Sequence, residues 1–451
     1  MRISTAMQYQ NHLNYLQTAN SRVDLASQRY NTGKLFQTAG ENPAGMAASI
    51  KYESDIQAYK QYSTNASIVA DTLSQEETAL GQIWDALSSI QTRLIQAING
   101  TIDDSSRAAL AEDIKQTQAQ IFDLMNTKNA EGDYIFSGAN SSEPTYRLTS
   151  DGQYICQADG SNKYVMVSPT IKVQTTDSGL NIFENCQLAY DFAGDAANFF
   201  NPDGTPLMDA DGNPVTEASA GYLSAVDDYD QFKAFYEDNY DYDTNASNRF
   251  AIQINGSNFD LVKLDLNGNV VGDPLDSGQI KDGRIVTQGM EFTLPSDFDY
   301  NATDGTNVAT GRISFELQAP EQDNILNQLS NIIDDLLVPS NEYGEATDSN
   351  GNTMSNAQLT RNLARMQETI SITKTQVDQY RGYVGARGAN IEAIIDSNEN
   401  LSLIKSEAKA NVTEIDTFQA VSDLVLANNA LQVAQQSYNI VHSSMLFDYI
   451  S

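Results

Sequence analysis

Two histidines, two cysteines and sixty acidic residues are the groups with which this chain could do chemistry. His12 and His442 lie near opposite ends, so the H-E-x-x-H zinc motif and any site built from several His ligands are excluded. Ser443 and Ser444 adjoin His442, but neighbouring positions on a helix point different ways, which disfavours a Ser–His unit. The separation of Cys156 and Cys186 matches no zinc or thioredoxin-type spacing. The pair reads as two small core residues before it reads as a staple, and their pairing stays open. Asp209-Ala210-Asp211-Gly212-Asn213 and Asp265-Leu266-Asn267-Gly268-Asn269 have the look of calcium loops. Both place Gly too early and lack the closing Glu, so they read as turns. No phosphate loop and no G-x-G-x-x-G occurs. A glycosidase-like acid pair would need two carboxylates converging in a cleft, and acids here are scattered everywhere. The expectation is a protein without catalytic residues, cofactor or metal, and not an enzyme.

The 60 acids face only 26 bases, a formal charge of −34. Between Cys186 and Thr310 the bases are Lys233, Arg249, Lys263, Lys281 and Arg284 alone. Such a surface repels phosphate backbones, so no nucleic-acid partner is expected. It reads first as a solvated exterior and second as an acid-lined cation site. No apolar run reaches the roughly 18 residues of a membrane span, so no membrane partner is expected. Met1-Arg2-Ile3-Ser4-Thr5-Ala6-Met7 has neither the apolar core nor the cleavage site of a Sec signal, so any export is expected to use an uncleaved N-terminus.

Elements that could position functional groups change character twice along the chain. Residues up to about Asn129 are helical in pattern, with Pro43 the sole proline. Tyr134 to about Pro320 is rich in Gly, Asp, Asn, Pro and Tyr. From Ile325 the pattern is helical again, with a polar break near Pro339–Asn352. In the second helix, Tyr59, Tyr62, Ala66, Val69, Leu73, Glu76, Leu80, Ile83, Leu87, Ile90, Leu94 and Ala97 alternate spacings of three and four. That is a heptad seam. Leu359, Leu363, Met366, Ile370, Thr373, Val377, Tyr380, Val384, Arg387, Ile391, Ile394, Asn398 and Leu401 repeat it near the other end. A helix of ~45 residues runs roughly 65 Å, and its apolar stripe needs a second long helix to cover it. Leu110, Ile114, Thr117, Ile121 and Leu124 mark a third helix folding back on the second after a turn at Gly100–Ser106.

The outermost seams are thinner. One carries Tyr9, Leu16, Ala19, Val23, Ala26 and Tyr30; the other Ala420, Leu424, Ala427, Leu431, Ala434, Tyr438, Val441 and Met445. Small Ala knobs among many amides give helices that are marginal alone and need neighbours. Segments Met1–Asn42 and Val412–Ser451 are therefore expected to be disordered in a free monomer. The middle reads as antiparallel β, with a hairpin from Leu261–Leu266 through Asn267-Gly268-Asn269 to Val270-Val271. Lys163–Val167 and Ile285–Thr287 are further strands. Asn198–Asn248 reads as an extra insertion, whose aromatics Tyr229, Phe232, Phe235, Tyr236, Tyr240 and Tyr242 read first as a small local core and second as an exposed recognition patch. The expected fold is α + β: a long antiparallel helical coiled-coil rod from both chain ends with an inserted β-rich domain. Segments 1–42 and 413–451 would serve assembly, 43–133 and 321–412 the rod, and 134–320 the outer domain.

Particular residues carry a resemblance to the flagellin superfamily. Met1-Arg2-Ile3-Ser4-Thr5 before a Gln-rich helix is similar to the start of FlgL-type hook–filament junction proteins. Tyr30-Asn31-Thr32-Gly33-Lys34 with Glu41-Asn42-Pro43-Ala44-Gly45 resembles the shared linker. Gly132-Asp133-Tyr134-Ile135-Phe136-Ser137-Gly138 resembles the junction proteins' passage from helix to first strand, which flagellins proper lack. Ser178–Phe183 and Gly289–Phe292 also fit. Val384-Gly385-Ala386-Arg387 is similar to the family's V-G-A-R, although Arg-Gly-Ala-Asn stands where Arg-Leu-Asn-Arg is usual, which would loosen packing there. The end, through Phe447-Asp448-Tyr449-Ile450, resembles the family's aromatic terminus. The resemblance implies a structural adaptor of the bacterial flagellum, secreted by flagellar type III export, self-associating in a helical ring. It implies a FlgK-type junction protein and flagellin as partners, and a FlgN-like export chaperone. Tyr9, Leu16, Val23, Tyr30, Leu424, Leu431, Tyr438, Val441 and Met445 would form the assembly seam, or an ordinary coiled coil within one chain, or both. Flagellin itself, or a secreted adhesin or cation-binding structural protein, are the alternatives.

Overall fold

The computed structural model describes residues 5–98, 103–208, 212, 214, 215, 223–243, 247–341 and 354–450. The chain is α + β, helical towards both ends and β-rich in its centre. The Asp209–Asn213 turn, apart from Gly212, and most of the Pro339–Asn352 break lie outside the described residues. Two compact units result: Met1–Ala70 with Val165–Val173 and Ala389–Ser451, and Asp71–Tyr164 with Gln174–Gly388.

In the first unit, α1 (Thr5–Thr32) is followed by the start of α2 (Pro43–Ile98). The unit ends with the last part of α6 (Asn356–Thr413) and with α7 (Thr417–Ile450). Gly33 stops α1 because its φ of +68° suits glycine, and its N–H donates to the Arg29 carbonyl at 2.9 Å. Asn42 accepts the Gly45 N–H at 2.9 Å, and Pro43 takes the first helical position, where a missing N–H costs nothing. Ion pairs Lys405–Asp55, at 2.9 Å, and Lys409–Glu53 tie α6 to α2. Asn398 and Asn65 donate to the Val167 and Met166 carbonyls at 2.8 and 3.1 Å, which holds segment 165–173 against the helices.

In the second unit the heptad registers are the buried faces. Leu73, Leu80, Ile83, Leu87, Ile90 and Leu94 on α2 are buried, as are Leu363, Ile370, Val377 and Val384 on α6. Lys374 spans the two helices, 4.4 Å from the Trp84 ring centre and 3.1 Å from Gln91 Oε1. Asp103 caps α3 (Asp104–Met125) by accepting the Ser106 N–H at 3.0 Å. The expected fold-back of α3 is seen in the Arg93–Asp113 ion pair at 2.6 Å. Its other neighbour is α5 (Ile325–Leu337), where Gln118 donates to the Leu326 carbonyl at 2.7 Å and to Ser330 Oγ at 2.8 Å.

The β region is built on a five-stranded antiparallel sheet of β1 (Phe192–Phe200), β2 (Arg249–Asn255), β3 (Asn258–Leu264), β4 (Val270–Gln279) and β5 (Thr310–Leu317), in the order β4-β3-β2-β5-β1. The 265–269 turn joins β3 and β4 as its Asn-Gly signal requires. Asp265 accepts N–H groups of Asn267 and Asn269, each at 2.8 Å, and Nδ2 of Asn269 at 3.1 Å. Those bonds hold its carboxyl below the usual range, Asn269 contributing most. The carboxylate that looked like a calcium ligand is engaged in its own turn.

The aromatic run departs from the expected local core. Phe232, Phe235 and Tyr236 lie on a helix, α4 (Tyr229–Asn239), and enter the main core beside Phe192, Phe250, Phe292 and Phe315. The physical reason is their spacing of three and four, which puts all three on one face of a helix. Tyr236 donates to the Gln318 carbonyl at 2.7 Å and stacks between Tyr190 and Tyr240. Tyr242 stays exposed.

Candidate assembly interface

Where α1 ends and α7 begins, the backbone is shared: the Ile415 N–H donates to the Gly33 carbonyl at 2.9 Å, and the Leu35 N–H to the Thr413 carbonyl at 2.8 Å. From this anchor α1 and α7 run antiparallel. Tyr9 and Tyr438 meet at the far end, their hydroxyls 3.0 Å apart and their ring centres 5.8 Å apart. The hydrogen bond with Tyr9 raises the Tyr438 phenol above its ordinary range. That register sets Leu16 level with Leu431 and Val23 level with Leu424, one heptad apart. Ala19, Ala26 and Ala420 are buried, the small side chains that let helices approach closely.

The structure thus brings Tyr9, Leu16, Val23, Leu424, Leu431 and Tyr438 together within one chain, each half-buried. Tyr30 is more exposed. Val441 and Met445 continue the helix, and their side chains lie outside the described residues. Val441 and Met445 are otherwise placed only by the periodicity of α7.

A second surface on α7 escaped the sequence reading. Phe418 is 88% exposed, Leu426 63%, Val433 60% and Ile440 67%, with Val421 and Val425 also exposed. Leu426, Val433 and Ile440 recur at heptad spacing. The apolar residues of α7 are spread round the whole helix, and from Thr417 to Ile450 the sequence holds no Lys or Arg and just two acids, Asp423 and Asp448. Apolar side chains exposed away from the covered side of a helix are stabilised when a further surface buries them. Among the described residues, α1 covers one side of α7. The usable signal was that large apolar residues also fall between the seam positions, more than the knobs themselves.

Gly33 makes a small, local prediction. Gly33→Ala meets no atom within 4 Å, so its cost comes from the left-handed φ alone, about 1 kcal/mol. Hydrogen exchange at the C-terminal turn of α1 should rise about fivefold, and exchange in the β sheet should stay unchanged.

The groups with chemical potential sit apart. His12 is half-buried on α1, 6.2 Å from the Tyr15 ring, and His442 is exposed and stacks on Tyr438. Cys156 and Cys186 are both free thiols; burial pushes Cys186 up to about 12 and also raises Cys156. Among the described residues no group of three His, Cys, Asp or Glu side chains is placed to hold a metal, and no helix is long and apolar enough to cross a membrane.

Residues 3–141 match the bacterial flagellin N-terminal helical region. Flagellar hook-associated protein 3 of Escherichia coli K12 is 25% identical over 229 residues, 49% of this chain and 72% of that protein. The flagellar junction protein FlgL from Legionella pneumophila superposes with a TM-score of 0.54 at 17% identity, covering 81% of this chain and 99% of that one. Phase 1 flagellin of Salmonella naestved is 28% identical over 137 residues, only 26% of its own length. This chain is similar to flagellar hook-associated protein 3 over about half its length, matches the flagellin N-terminal helical region over residues 3–141, and has the α + β fold of the FlgL junction proteins.

Proposed function

We propose that the protein is a structural adaptor of the bacterial flagellum, joining the hook to the flagellin filament. The observation that carries this is α7, a helix with exposed apolar residues away from its covered side, on a chain whose relatives include hook-associated proteins. Flagellar partners on both sides of the junction follow from that kinship, and so does a place outside the cell. In finer detail, a FlgK-type junction protein would meet one face of a helical ring of this subunit, and flagellin the other. A FlgN-like chaperone would mask the exposed face of α7 before export. Segments 1–42 and 413–451 serve assembly: the half-buried seam of α1 and α7 holds them weakly in the free chain, and neighbouring copies complete their burial. Residues at the seam, including Val441 and Met445, would then act inside the subunit and between subunits together.

Supporting this reading over flagellin, the hook-associated match spans most of that relative, and the flagellin match a quarter of its own. Deleting the gene from its own cells should leave hooks without filaments and flagellin free in the medium, with both restored by the intact gene. Normal filaments in the deletion strain would refute the proposal.

A further inference from the structure

Glu76 occupies a seam position of α2 yet is a carboxylic acid with no exposed surface. Its Oε1 accepts the Asp177 N–H at 3.0 Å, and its Oε2 has no hydrogen-bond partner among the described residues. A buried carboxylate needs its oxygens satisfied and its charge balanced. The charge is not available. From the loop, Asp177 presents a second carboxylate; from α6, Arg387 presents the guanidinium that faces the site, and it is already engaged by both oxygens of Asp177. Gln174 adds a neutral hydrogen bond to Asp177 Oδ1 at 2.6 Å, and the Tyr380 phenol on α6 lies close to Asp177. One guanidinium balances one carboxylate. The cluster is neutral when Glu76 carries a proton and holds an uncompensated buried charge when it does not.

The cluster also occupies a mechanical position within the second unit. That unit begins on α2 at Asp71, resumes at Gln174 and ends on α6 at Gly388. Glu76, Asp177 and Arg387 each sit within a few residues of one of these points and bind the three segments to one another. Downstream, Ser178 Oγ donates to the Asp159 carbonyl at 2.5 Å and the Gly179 N–H to the Phe136 carbonyl at 2.7 Å. Release of Asp177 from α2 therefore reaches residues that anchor the start of the β region.

We propose that Glu76, Asp177 and Arg387 form a latch that is closed while Glu76 is protonated and opens when it ionises, freeing residues 174–178 from α2. Burial, and after it the negative charge of Asp177, push Glu76 well above the usual carboxylate range; the Asp177 amide and Arg387 oppose the shift. The sign is fixed by linkage. The closed state holds a proton that the open, hydrated state gives up above about pH 4.3, the ordinary Glu value. Latch stability is complete below that value and falls as pH rises towards the raised one, the opening constant growing about tenfold per pH unit.

Hydrogen exchange on the full-length protein from about pH 5 to about pH 9, corrected for intrinsic amide rates, reads the opening directly. In the wild type, amides of 174–180 should lose protection by about tenfold per pH unit over part of this range. Glu76→Gln keeps an acceptor for the Asp177 N–H and cannot ionise, so its protection there should be flat. A wild type without slope, or a Glu76→Gln variant with the same slope, overturns the latch. Should Glu76→Gln fail to fold, infrared spectroscopy of the wild type decides. The carbonyl band of a dry, protonated carboxylic acid must be present at about pH 5, above the ordinary Glu value, and fade as pH rises, and its absence at about pH 5 refutes the proposal.

Discussion

Val433→Asp should leave the free protein folded and abolish its assembly at the junction. Val433 is 60% exposed on α7, so the substitution removes little packing inside one chain. If neighbouring subunits cover this face, the new carboxylate is buried without a partner. That costs several kcal/mol beyond the lost apolar contact, and each 1.4 kcal/mol is about tenfold in affinity. A loss of at least a hundredfold per contact is expected, compounded around a ring in which every copy carries the change. Cells bearing Val433→Asp should resemble the deletion strain, while circular dichroism and thermal unfolding of the purified protein match the wild type. Leu431→Asp provides the contrast, because Leu431 is half-buried and level with Leu16 on α1. It should expose both terminal helices to rapid hydrogen exchange even in the monomer. Normal filaments with Val433→Asp would remove the outer face of α7 from the interface.

Phe315→Ala should cause the largest loss of stability, about 3–5 kcal/mol for emptying a buried aromatic site. Phe315 lies on β5 with no exposed surface, its ring centre 5.2 Å from Phe192, 5.5 Å from Phe292 and 5.7 Å from Phe250. These rings come from separate strands, so no single neighbour can move in to fill the space. A β-region transition lowered by roughly 10 °C is expected, with the helical signal of α1 and α7 unchanged. A shift of only a degree or two would mean that the ring cluster collapses onto the gap.

Much of this organisation was legible in the residues. The heptads of α2 and α6 predicted their buried faces nearly position by position, because a spacing of 3.5 leaves an apolar stripe only one way to be covered. Gly33 and Pro43 marked the linker through backbone freedom and a missing donor, both intrinsic to the residue. Asn267-Gly268 announced the β3–β4 turn. Such features depend on neighbours within a few positions, and sequence order holds that information.

Other features depend on what arrives from far along the chain. Glu76 reads as one more seam position until Asp177 and Arg387 are brought beside it, after which it is a buried acid with one oxygen unmet. Phe232 and Phe235 read as a local cluster until α4 lies on the sheet. The seam of Leu16, Val23, Leu424 and Leu431 reads equally as a contact between chains or within one, since periodicity specifies a stripe and not its occupant. The pairing of Gly33 with Ile415 settles that α1 meets α7 in the same chain, and it turns Leu426, Val433 and Ile440 outward. Local spacing dictates which faces must be covered; long-range packing assigns the cover, because burial energy is indifferent to which apolar surface supplies it.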